Sequence, residues 1–115
     1  MASPPKKVPA VFYRTPLGAE PVRDWFKSLS ADDRKAIGAD IQTVEFGWPI
    51  GMPLCKSLGD GLWEVRSNIR DGIARVIFFL HQGNLIILNG FVKKTRKTPE
   101  AEIELARKRM KETES

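Results

Sequence analysis

Apolar residues recur along this chain with two different periods, and the change of period divides it. Val22, Trp25, Phe26 and Leu29 fall at i, i+3, i+4 and i+7, the spacing of one helix face, and Pro21 suits the first helical position. A helix over about residues 21–29 is expected. Ser30 followed by Asp33 resembles a capping box with the acid in the usual place of Glu or Gln, and Ile37, Ile41 and Val44 form a second stripe until Gly47 and Pro49 stop it. The two stripes predict a helical hairpin. Before it, Val11-Phe12-Tyr13-Arg14 is a short β-prone run ended by Thr15-Pro16-Leu17-Gly18.

From Leu54 the period is that of strands. Leu62-Trp63-Glu64-Val65-Arg66 alternates, and Ile73 to Leu80 and Leu85 to Val92 are nearly continuous apolar runs. Asp71-Gly72 and Gly83-Asn84 mark the turns between them, so a three-stranded antiparallel meander is expected. In the last segment Thr98 can cap and Pro99 can start a helix. Glu100, Glu102 and Glu104 favour its positive end, and Arg107, Lys108, Arg109 and Lys111 its negative end. The order β-α-α-β-β-β-α describes an α+β fold: a small antiparallel sheet, an N-terminal helical hairpin and a C-terminal helix.

A chain of 115 residues with 42% hydrophobic content has room for one core, so residues 1–115 are expected to form a single domain with residues 1–9 as a flexible lead-in. One cysteine, Cys55, and one histidine, His81, supply neither an internal disulfide nor a Cys/His zinc cluster. No metal and no cofactor are expected. The N-terminus lacks the apolar core of a secretory signal, and no run approaches a membrane span, so a cytoplasmic protein away from the membrane is the reading.

The net charge of +5 and a pI near 9.6 change this picture by pointing to a polyanionic partner, nucleic acid first. Its distribution is uneven. Between Arg66 and Lys97 stand seven cations (Arg66, Arg70, Arg75, Lys93, Lys94, Arg96 and Lys97) against one acid, Asp71. Alternation places Trp63 and Val65 on one face, with Glu64 and Arg66 on the other, and sets Ala74, Val76, Phe78 and Leu80 opposite Arg75. If the hairpin covers the apolar face, Arg66 and Arg75 meet on an open one. Antiparallel pairing brings Lys93 and Lys94 beside them. The bland alternative is an ordinary solvated face.

Other chemistry-bearing residues weigh less. Glu64 is either a general base or the partner of a cross-strand salt bridge with Arg66, Arg75 or a lysine. His81 lies beside Gln82-Gly83-Asn84 at the hairpin tip far from Arg75, which suits a turn residue. Trp25, Phe26 and Trp63 have core spacing, Trp48 in its Gly/Pro loop has no assignment, and Cys55 reads as a small buried residue.

The stretches LWEVRS (62–67), IARVIFFL (73–80) and FVKKTRKTPEAEIELARKRMKE (91–112) resemble the phage-derived, HigB-like branch of the RelE/ParE superfamily, toxins of type II toxin-antitoxin pairs. The resemblance covers about residues 11–112, and its most specific element is the pattern FxKKTxKTPxxEIxxA. It implies a RelE-like fold, neutralisation by a cognate antitoxin of helix-turn-helix type, and metal-independent cleavage of mRNA on the ribosome. Arg75 looks like the family's phosphate-clamping arginine, Arg66 like a basic position on the preceding strand, and Lys94 like the basic residue after the last strand. Lys93 competes with Lys94, because a one-residue shift of register swaps their faces.

The catalytic candidates are therefore Arg75, Arg66, Lys94 and Glu64, with Lys56, Arg70, Lys93, Arg96 and Lys97 as nucleic-acid contacts. Two features depart from the family pattern: Glu64 stands where lysine is frequent, and the last helix has no histidine or tyrosine. They leave two alternatives to an mRNA endoribonuclease. One is a ParE-like toxin that binds a protein such as DNA gyrase; the other is a nucleic-acid-binding module without catalysis.

Overall fold

A computed structural model describes residues 6–93 and 97–115. After β1 (Ala10–Phe12), the proline-led α1 (Pro21–Ser28) and α2 (Ala31–Gly47) form the expected hairpin. Ser30 caps α2: its Oγ accepts from the Asp33 N–H at 3.2 Å. Four strands follow, β2 (Cys55–Gly59), β3 (Leu62–Ile69), β4 (Gly72–His81) and β5 (Asn84–Lys93), and then α3 (Glu100–Glu114). The result is an α+β fold with a five-stranded, mostly antiparallel sheet in the order β1-β5-β4-β3-β2, compatible with a RelE-like architecture.

β3, β4 and β5 form the expected meander. The turn between β4 and β5 consists of Gln82 and Gly83, both at positive φ, one residue earlier than the Gly83-Asn84 signal suggested. The strand expected at Val11–Arg14 is β1, shifted to Ala10–Phe12, and it joins β5 in parallel, Ala10 opposite Leu85, a pairing no local pattern can announce. One strand escaped the periodicity. β2, of sequence CKSLG, is an edge strand whose outward positions are exposed, so its residues never alternate. Its signal was the turn after it, where Gly59, Asp60 and Gly61 all take positive φ, as the dipeptide Asp60-Gly61 allows.

The sheet buries both faces. Val65, Ala74, Val76, Phe78 and Ile87 pack with Val22, Ile37 and Val44 of α1 and α2. On the other face Leu62, Ile77, Phe79 and Leu88 pack with Ala106 and Met110 of α3. Trp48 belongs to the first core, edge-on to Trp63 at 5.0 Å and to Phe78 at 5.4 Å. The expected lead-in is tied down in part: Glu45 O accepts from the N–H groups of Lys7 and Val8, and Pro9 O from that of Leu85. Glu45 Oε2 also accepts from Ala10 N–H at 2.7 Å.

Trp25 lies so close to β5 that a Cβ on Gly90 would sit 2.4 Å from its Cζ3 atom. We expect Gly90→Ala to cost about 1–3 kcal/mol through displacement of the indole. Urea unfolding should show a lower midpoint at unchanged slope, and an unshifted midpoint would mean the helix yields without strain.

Cys55 is 1% exposed, and burial, helped by the charge of Asp40, pushes its thiol up to about 11 from the ordinary 9.0. Above pH 9 the unfolded chain releases a proton that the folded chain keeps, so this group's contribution falls as pH rises from about 9 to about 11. Urea unfolding at pH 8 and pH 10 should therefore show a larger loss for the wild type than for Cys55→Ala.

Candidate functional site

Register determines which polar residues meet. Lys56 stands opposite Glu64, and Arg66 opposite Arg75, which in turn faces Phe91. The pairing of Arg66 with Arg75 agrees with the strand alternation. Their face is not open. It is the face that α3 covers, and Arg75, expected in solvent, is 0% exposed, as is Glu64. Thr98, just before α3, lies against this end of the sheet, its hydroxyl hydrogen-bonded with both Arg75 and Glu64.

The Glu64 carboxylate organises the cluster. Its Oε1 accepts from Arg66 Nε at 2.8 Å and from Arg75 Nη1 at 3.2 Å. Its Oε2 accepts from the Thr98 hydroxyl, whose oxygen accepts from Arg75 Nη1 at 3.2 Å. The salt-bridge reading of Glu64 thus holds, with two partners at once. Thr98 does not cap α3, although its position suggested it; Pro99 occupies the N-cap, because the hydroxyl is engaged by Glu64.

Further contacts hold α3, and so Thr98, in place. Asn89 Nδ2 donates to Glu102 O and to Glu102 Oε2, both at 3.1 Å. Arg109 donates to Leu88 O at 2.9 Å and lies 5.2 Å from the Tyr13 ring centre. The Tyr13 hydroxyl donates to Glu112; that bond, then burial, raises its pKa.

At the edge of this cluster the chemistry becomes accessible. The Arg66 side chain is 22% exposed. Lys56 on β2, Lys93 at the end of β5 and Lys97 before Thr98 are exposed around it. Lys93 stands opposite Ile73, two residues from the partner of Arg75. Arg70 is exposed in the β3–β4 turn, further along the hairpin, and His81 lies at the other end of β4 opposite Asn84. Lys94 and Arg96 lie outside the described residues. No group of three or more metal-ligating side chains occurs among the described residues.

Sequence reasoning missed Thr98 and Asn89 as members of the polar system. Asn89 could have been found, since it is a polar break in the apolar run of β5. Thr98 could not, because its helix-cap reading was locally complete.

Residues 24–111 match the profile of the family described as phage-derived protein Gp49-like (DUF891). No curated protein matches the chain. No helix among the described residues is long and apolar enough to cross a membrane.

Removing Arg75 would leave a buried carboxylate with reduced compensation, whereas removing Arg66 takes away a part-exposed partner. We expect Arg75→Ala to cost about 3–5 kcal/mol and Arg66→Ala about 1 kcal/mol or less. Thermal and urea unfolding of the two variants measure the difference. Equal losses would mean that the burial of Arg75 contributes nothing particular.

Proposed function

The chain belongs to the phage-derived Gp49-like family, part of the RelE/HigB-type toxin group, and from this membership we propose a HigB-like toxin that cleaves mRNA without a metal. The message is cut on the ribosome, hence in the cytoplasm, and a cognate helix-turn-helix antitoxin neutralises the protein. The observation that carries the reading is Arg66, held by a buried carboxylate at a rim where Lys56, Lys93 and Lys97 are also exposed.

Cleavage through the 2′-hydroxyl needs a base at that oxygen, stabilisation of the charge on the phosphate and an acid at the departing 5′-oxygen. Arg66 serves the second need. Its Nε–H is given to Glu64, which orients the guanidinium, and its part-exposed face meets phosphate oxygens. Arg75, held away from solvent, supports the rim by fixing Glu64 rather than by clamping phosphate itself. Lys93 adds charge from the neighbouring strand, and Lys56, Lys97 and Arg70 guide the polyanion. Lys94 and Arg96 extend the same basic segment.

One observation favours the second reading, a toxin that binds a protein such as DNA gyrase. Both Glu64 oxygens already accept hydrogen bonds, which disfavours Glu64 as a general base.

Induced expression should arrest growth, and primer extension on cellular mRNA should reveal new 5′ ends. Arg66→Ala should reduce cleavage about 10²- to 10³-fold with little change in melting. Arrest without cleavage would select the protein-binding toxin, and salt-sensitive RNA binding with neither effect would select a non-catalytic module.

A further inference from the structure

β2 pairs with β3 only from Leu62 to Val65, so beyond that point the outer edge of β3 carries no strand. The Arg66 N–H there goes to Leu54 O at 3.0 Å. Main-chain groups alternate along a strand, so the N–H and C=O of Asn68 leave β3 on the same side as those of Arg66. Between this edge and α2 lies a cleft of about 630 Å³, with Arg66 in its wall.

The lining has two kinds of surface. Leu54, Pro53, Ile73, Ala36 and Ala39 supply apolar area. Asp40 and Asn68 supply polar atoms beside the Arg66 guanidinium, and neither of these two spends its side chain on a hydrogen bond or ion pair among the described residues. An apolar slot with a few convergent polar groups is the usual form of a small-ligand site. Past Asn68 it adjoins a second cleft of about 380 Å³ whose lining holds Asp32, Asp33 and Asp71 together with Arg70. Three carboxylates against one cation make that end less favourable for a phosphodiester chain than Arg66 and Lys93. A strand of RNA can therefore keep its phosphates at Arg66 and Lys93 and send one base inward.

We propose that this cleft is a base-reading pocket, in which Asp40 and Asn68 recognise a guanine attached to the phosphate held by Arg66. The proposal rests on the RNA-cleaving reading above and deepens it by naming the substrate's preferred base. Arg66 and Asn68 are two residues apart on one strand, roughly 6.6 Å, a span compatible with the reach from a phosphate to the base of its own nucleotide. Unpaired RNA bases present their Watson–Crick edges, and apolar walls accept their π-faces. A carboxylate can accept only, and guanine is the base that places two donors, N1–H and the N2 amino group, side by side. Uracil offers one donor flanked by two carbonyl oxygens, which a carboxylate repels. Asn68, carrying both donor and acceptor, can meet the remaining polar edge of the purine.

The test has two arms. In the first, GMP and UMP are titrated separately into the isotope-labelled protein and followed by amide chemical shifts. GMP should shift the amides of Asn68, Ala36 and Ala39 and bind about tenfold tighter than UMP, and Asp40→Asn should abolish that difference while the spectrum stays that of the folded protein. In the second, cleavage sites on a defined mRNA are mapped. Guanine should be enriched at one fixed position beside the cut, and Asp40→Asn and Asn68→Ala should each weaken the enrichment. Shifts outside the cleft, or equal affinity for the two nucleotides, would overturn the pocket even if mRNA is cut. Guanine-selective shifts without any cleavage would keep the pocket and overturn the nuclease reading.

Discussion

A buried carboxylate is tolerable only where its charge is matched, and Glu64 is the point at which the sheet, the C-terminal helix and the basic rim depend on one another. Its desolvation is offset by two guanidinium groups and a hydroxyl drawn from β3, β4 and the segment before α3. Each donor comes from a different element, so the complete cluster forms only when all three are in place. Arg75 cannot go elsewhere either: at 0% exposure it needs the same carboxylate. The ion pairs thus contribute less to total stability than to the choice of one arrangement.

That choice has a chemical consequence at the surface. An arginine on a strand edge normally samples many rotamers, whereas Arg66 has its Nε bound to an anion fixed inside the fold. Its guanidinium is held in one orientation, so less freedom would be lost on binding an anion. Among the described residues Lys56, Lys93 and Lys97 have no such restraint, which suits attraction of a polyanion rather than its precise placement. A buried anion behind an exposed cation separates orientation from charge supply.

The packing on the two faces of the sheet differs in the same sense. The α1–α2 side is mostly apolar, with Ser67 of β3 and Glu45 of α2 as buried polar residues, and is closed by aromatic contacts among Trp48, Trp63 and Phe78. The α3 face mixes Leu62, Ile77 and Leu88 with Glu64, Arg75 and Asn89, and its helix is fastened by polar contacts from Tyr13, Asn89 and Arg109. Polar fastening specifies the register of α3 against the sheet, because a shifted helix would leave buried donors and acceptors unmet.

Much of the architecture was legible from residue order alone. The helical stripes of α1 and α2, the cap at Ser30, the meander and the facing of Arg66 and Arg75 are consequences of periodicity, which needs only neighbours in the chain. The placement of Glu64 with Arg66 on one side of β3 was legible for the same reason. What lay beyond reach was everything decided by contact between distant segments. Parallel pairing of β1 with β5, the edge strand β2, the core position of Trp48 and the burial of Arg75 under Thr98 join residues that no local pattern links. Alternation states that a side chain lies on one of two faces. Whether that face meets water depends on a helix twenty or more residues away, and only the tertiary structure brings α3 there to turn an expected open cation into a buried ion pair.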